Sequence, residues 1–263
     1  MTNWEAVYAA GCAVPAGRAL DELTDELAAA LRHPDPAVRD GAPYGVLRAW
    51  IADGVLGPEL RHRLGDEMAR RFTDPEPQAR TFAPLVLDML VRRGAFDPAW
   101  LAAFAAWYPT EPDLRGYDAA LGWLHAVAHG ADLLAAFGRC PAVEPTSMLR
   151  LAAARLLAPT DHVLREQEDD RLARAIALTL TRPELTPADA AGWLDPVAAA
   201  FAALPSGPTP AWASNAMRTL RALYVVLDRG VRERRGGPLL EVPHAEAVGA
   251  RLGEVLEPVF QYS

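Results

Sequence analysis

The sequence predicts an all-α fold, a HEAT/armadillo-like α-α superhelix in which antiparallel helix pairs stack right-handedly and no β-sheet is present. Three observations predict it. Apolar residues recur at helical spacing along most of the chain, with no sustained alternation of β-branched residues. A cap-plus-proline pair returns at Asp35-Pro36, Asp74-Pro75, Asp97-Pro98, Thr186-Pro187 and Thr209-Pro210, the punctuation of helix, short loop, helix. Finally, Pro36-Ala37-Val38-Arg39-Asp40-Gly41-Ala42-Pro43 aligns with Pro77-Gln78-Ala79-Arg80-Thr81-Phe82-Ala83-Pro84. The offset from Arg39 to Arg80 falls within the roughly 40–47-residue period of HEAT and armadillo units.

Taken in order, Leu20, Leu23, Leu27 and Leu31 place a first amphipathic helix over residues 17–32, ended by His33-Pro34. Asp35-Pro36 opens the next. Leu60, Leu64, Met68 and Phe72 define another, and a proline inside each second helix of the aligned pair acts as a kink. A long helix is expected over 114–137. Further helices are expected over 149–157, 172–180, 191–204, 211–227 and 245–259, all in one domain covering residues 1–263.

Composition narrows the class. Hydrophobic residues make up 51% and charged ones 23% of the 263 residues, enough for a continuous core. A formal charge of −8 argues against nucleic acid as a partner, because phosphate neutralisation needs a basic surface. The densest basic stretch, Arg229 to Arg235, is interrupted by Glu233 and reads as an exposed loop after a helix. All 26 basic residues are arginine, which rules out Schiff-base chemistry and a phosphate-loop lysine. Two cysteines, Cys12 and Cys140, without a CxxC spacing suit a reducing compartment. With no signal-peptide pattern and no bilayer-length apolar run, the expectation is a cytoplasmic protein without a membrane partner.

The chemistry concentrates between Gly116 and Leu134. His125 and His129 are four apart, so on one helix they would share a face and could converge on a metal ion. Asp118, Gly122 and Asp132 would lie along the same stripe. Seven residues, about 10 Å of rise, separate His125 from Asp132, so Asp132 is expected to orient His129 instead. Asp40, Glu166, Asp169 and Asp170 are the carboxylates that could complete a site. The competing reading makes both histidines packing residues hydrogen-bonded to Asp40 or Asp169, and Arg39 with Asp40 a ladder between repeats.

The segment Gly116-Tyr117-Asp118-Ala119-Ala120-Leu121-Gly122-Trp123-Leu124-His125-Ala126-Val127-Ala128-His129-Gly130-Ala131-Asp132, with Arg39-Asp40 and Arg80-Thr81-Phe82, resembles a bacterial family catalogued as domain of unknown function 2785. Thr81 stands where that family usually has serine. The resemblance spans about residues 18–180, with helices over 186–260 continuing the stack, and implies kinship and a helical fold without an activity.

Three function classes follow. One is a binding scaffold whose concave groove, lined by Arg39, Asp40, Tyr44, Arg80, Tyr117, Asp118 and Trp123, takes a small molecule or a protein. A second is a metal-dependent hydrolase using zinc, iron or manganese on His125, His129, Asp40, Asp169 and Asp170. The third is a metal-free pocket where His129, paired with Asp132, is a general base.

Overall fold

The computed structural model describes residues 2–259. Its helices are α1 (Trp4–Ala9), α2 (Leu20–Ala30), α3 (Pro36–Arg39), α4 (Ala42–Ala52), α5 (Pro58–Arg71), α6 (Pro77–Arg92) and α7 (Pro98–Trp107). A short hairpin, β1 (Tyr117–Asp118) and β2 (Gly122–Trp123), precedes α8 (Ala126–Arg139), α9 (Pro145–Leu157), α10 (Glu168–Thr179), α11 (Pro187–Gly192), α12 (Asp195–Ala202), α13 (Ala211–Arg229) and α14 (Ala245–Leu256).

The helix starts follow the expected capping chemistry at three of the five punctuation marks. Asp35 accepts from Ala37 N at 2.9 Å, Asp97 accepts from Ala99 N at 2.7 Å, and Thr186 with Asp189 closes a reciprocal capping box. At Asp74 the carboxylate instead caps a turn, accepting from Glu76 N while it pairs with Arg32, so α6 begins at Pro77. Pro210 is itself the N-cap of α13, without a side-chain cap. The two aligned segments also diverge. Pro84 lies inside the continuous helix α6, whereas Asp40-Gly41 breaks the first segment and leaves Pro43 in the opening turn of α4. The helix expected over 191–204 is interrupted between Gly192 and Asp195.

Two rows of helices make the body. In one, α4, α6, α8, α10 and α13 pack successively against one another; in the other, α2 meets α5 and α5 meets α7. Helix α9 lies under α8, α10 and α13, and α14 closes the far end against α11, α12 and α13. Twelve of the residues of α8 are buried, so this helix runs through the middle of the core. Stacked rings of Phe72 on Trp107 and Phe104 on Tyr108 fill the space beneath it. Gly130 permits a close approach, since a Cβ there would overlap the Tyr108 ring, whose hydroxyl donates to Val127 O at 2.8 Å.

The all-α expectation needs one correction. The segment expected to be helical from Leu114 is a loop and a two-stranded antiparallel hairpin, with Tyr117 opposite Trp123 and Asp118 opposite Gly122. Local and distant forces both oppose helix there. The Asp118 carboxylate accepts from Ala120 N and Leu121 N, fixing a turn, and Gly122 has φ +70°. Buried Arg39 then takes the carbonyls of Leu121 at 2.5 Å and Trp123 at 3.3 Å. A helix would need those carbonyls for its own ladder.

Candidate functional site

The hairpin hands the chain into α8 through His125, which is the N-cap rather than a helical residue. Its φ of 53° and ψ of 40° are left-handed, a costly conformation for a residue with a Cβ. Gln167, the N-cap of the neighbouring α10, is left-handed as well, at φ 63°. Two adjacent helix starts therefore share an unusual backbone state, and together they bring His125 up to Glu168, the first residue of α10.

His125 Nδ1 lies 3.6 Å from Glu168 Oε1. That is an ion-pair separation, beyond hydrogen-bond length, and each of the two atoms is buried without a hydrogen-bond partner. Glu168 itself is fully buried, and its other oxygen accepts from Glu166 N at 2.8 Å. Burial acts most strongly on its carboxyl and pushes its pKa upward; His125 and the backbone amides together outweigh that and hold it below the usual value. Gly116 makes the approach possible, because a side chain there would overlap the Glu168 carboxylate and Glu166. The His125 ring is stacked face to face on Trp123, with centroids 4.6 Å apart and planes at 4°. It keeps 16% of its side chain exposed, and that surface lies away from the buried Nδ1. Trp123 is exposed and has Tyr117 at its edge.

His129 sits one turn below, its ring 5.6 Å from that of His125 and edge-on to Phe82. Its Nδ1 is 2.9 Å from Thr81 O, so Nδ1 carries the proton and donates. Burial drives its pKa down to about 3, overriding the carbonyl, which acts the other way. At neutral pH this is an uncharged imidazole.

The expected pairing of His129 with Asp132 does not form. Asp132 faces Arg171 at 3.6 Å, and burial raises its pKa against the pull of Arg171, Arg174 and Arg92. Asp40 is held by Arg39 at 2.8 Å and Asp169 by Arg218 at 3.2 Å, while exposed Asp170 lines a different groove. The histidines thus bond neither Asp40 nor Asp169; their partners are a carbonyl and Glu168. Of the expected groove residues, Arg39 lies beneath the hairpin with its guanidinium 4.6 Å over Phe82, and Tyr44 meets the edge of Phe82. Asp118 pairs with Arg115. Arg80 is spent elsewhere, on Glu111 and on the carbonyls of Asp74 and Pro75.

Sequence reasoning overlooked Glu168. It follows the uncharged Gln167 within the acidic run Glu166 to Asp170, and only the left-handed turn at Gln167 aims it inward. Among the described residues, the histidine and carboxylates close enough to share one ion are His62 and Asp66 on α5 and Asp97 at the start of α7. There Asp66 already accepts from the Trp100 indole at 2.8 Å and Asp97 caps α7, so each carboxylate has a structural task.

No curated protein and no solved structure matches the chain. A family described as "Protein of unknown function (DUF2785)" matches residues 71–225, a stretch that begins later and ends later than the resemblance over 18–180 and holds the hairpin, both histidines and Glu168. That match covers more than half of the chain, and the protein belongs to this family.

Proposed function

We propose that the protein is a ligand-binding domain of HEAT-like helix pairs, and that its site for a small polar molecule is the surface presented by Trp123 and His125 above buried Glu168. Two features support the HEAT-like reading. Hydrogen bonds between neighbouring units recur at a separation of 42 residues, as in Arg32 to Asp74, Arg93 to Ile51, Arg139 to Thr181 and Arg182 to Cys140. Arg39 and Arg80, equivalent in the internal repeat, both donate to the carbonyls five and six residues before them.

The observation that carries the binding site is the His125–Glu168 pair, whose facing atoms are buried 3.6 Å apart and lack a hydrogen bond. Leaving a buried polar group without a hydrogen bond costs on the order of 1–3 kcal/mol, a cost that functional sites retain. An imidazole oriented by a carboxylate on one nitrogen, with its exposed ring surface turned elsewhere, is an arrangement suited to holding a ligand proton or hydroxyl. Trp123 adds a flat apolar wall beside it.

A metal-dependent hydrolase is the second reading, and one feature favours it. Both histidines have Nδ1 turned to an oxygen, of Glu168 or of Thr81, which is how ligating histidines are commonly held. The nearby acids are drawn to arginines, so other ligands would be water or substrate.

Ligand-observed NMR with a library of polar fragments on the full chain tests the proposal. Fragments are expected to bind and to be lost in both Trp123→Ala and Glu168→Gln, with metal content of the purified protein unchanged by Glu168→Gln. Fragments retained by both folded variants, or no fragment bound at all, would remove the binding reading. Stoichiometric metal lost in His125→Ala would install the second in its place.

A further inference from the structure

The arginine run after α13 takes no part in the His125 site, yet it builds a surface of its own. The chain turns back at Gly230, and Val231 pairs with Leu240 across a short bridge. The intervening loop lies against α10, where Arg174 donates to the carbonyls of Arg232 and Glu233. Between α10, the end of α13 and this loop is a groove of about 770 Å³.

Its charge is one-sided. Arg174, Arg229, Arg232, Arg234 and Arg235 line it, against a single carboxylate, Asp170. Glu233, the acid that interrupts the basic run, is drawn out of the balance by Arg92, which it meets at 2.7 Å. Arg174 and Arg232 are anchored on neutral carbonyl oxygens, and Arg174 also feels the carboxylates of Asp132 and Asp88 behind the groove. Arg234 and Arg235 have no ion-pair partner among the described residues, and Arg229 has only its neighbour Asp228. The apolar part of the groove is aliphatic, and Val225 and Leu239 are 57% and 54% exposed.

We propose that this groove docks an acidic segment of a partner protein, in which carboxylates alternate with aliphatic side chains. Guanidinium groups at the rim suit bidentate carboxylates, and exposed Val225 and Leu239 would be covered by the side chains between them. The complementarity is specific to this face, since the chain as a whole carries −8. A single-stranded nucleic acid would want aromatic platforms, and the groove lining holds none.

Panning a display library of random peptides on the full chain tests this. The expected result is enrichment of peptides in which Asp or Glu is interleaved with Leu, Val, Ile or Phe. By fluorescence anisotropy, the enriched peptide should bind at least about tenfold more weakly to the Arg234→Glu, Arg235→Glu double variant. The same loss is expected in Val225→Asp, and added salt should weaken binding. These positions are exposed and lie on two elements, so circular dichroism identifies any variant that fails to fold and the other then decides. Enrichment of peptides without acids, binding retained by the folded variants, or tighter binding of a labelled oligothymidylate than of the peptide would each overturn the proposal.

Discussion

His129 is where burial and protonation are most tightly linked. Its folded pKa, about 3, lies below the ordinary histidine value of 6.5, so the folded state resists the proton that the unfolded chain accepts. The stability this contributes is fully present above pH 6.5 and is lost as pH falls toward 3; at pH 5 the loss is about 2 kcal/mol. Replacing the ring by an amide that can still donate to Thr81 O, in His129→Gln, removes the titration. Urea unfolding at pH 7 and pH 5 should therefore show wild type losing about 2 kcal/mol more than the variant. Equal losses would mean that the ring is solvated. The histidines were legible in the sequence because two imidazoles four apart on an apolar segment are rare and need partners. Their partners were not legible, because a main-chain carbonyl leaves no mark in the sequence and Glu168 looks like any acid in the first turn of a helix.

At the scale of elements, the hairpin is the largest departure from what helical periodicity anticipates. Leu114, Leu121 and Leu124 fit a helix as well as they fit the observed loop, and the deciding interactions come from Arg39, some eighty residues away in sequence. Arg39 is fully buried and bonds the carbonyls of His33, Pro34, Leu121 and Trp123 as well as Asp40. It both fastens the loop before α3 and fixes the hairpin that carries Trp123. Arg39→Met keeps the apolar stem and leaves these acceptors unpaired, at a cost of about 3 kcal/mol. The same change should free the exposed turn at Ala119-Ala120, so that limited proteolysis cuts there faster than in wild type. A variant that loses stability while the turn stays protected would show that the hairpin holds itself. The other helices were legible to within a few residues wherever a cap and a proline coincided, as at Asp35, Asp97 and Thr186.

For the whole molecule, the order of packing predicts an order of stability. Each helix of the row α4, α6, α8, α10 and α13 is buried chiefly by its neighbours in that row and by the helices beneath it, so the middle members are covered on more sides than the ends. On the proposed HEAT-like reading, stability is the sum of intrinsic and nearest-neighbour terms, and opening proceeds from the ends. Helix α8, almost wholly buried, lies at the centre, whereas α1 has a single buried residue, Trp4. Native-state hydrogen exchange should then find the amides of α8 and α10 protected to the full free energy of unfolding. Those of α1 and α14 should open at least about 2 kcal/mol more easily, a margin within the span of sub-global openings. The amides of α6 are expected to fall between these limits, since α6 joins the less tightly packed α4 to the centre. Uniform protection from α1 to α14 would instead require one cooperative unit, in which the 42-residue periodicity of the hydrogen bonds has no energetic counterpart. Because His125 and Glu168 open α8 and α10, the expected gradient also places the candidate site on the last part of the chain to loosen. There, the left-handed caps at His125 and Gln167 would be held in place by the surrounding packing.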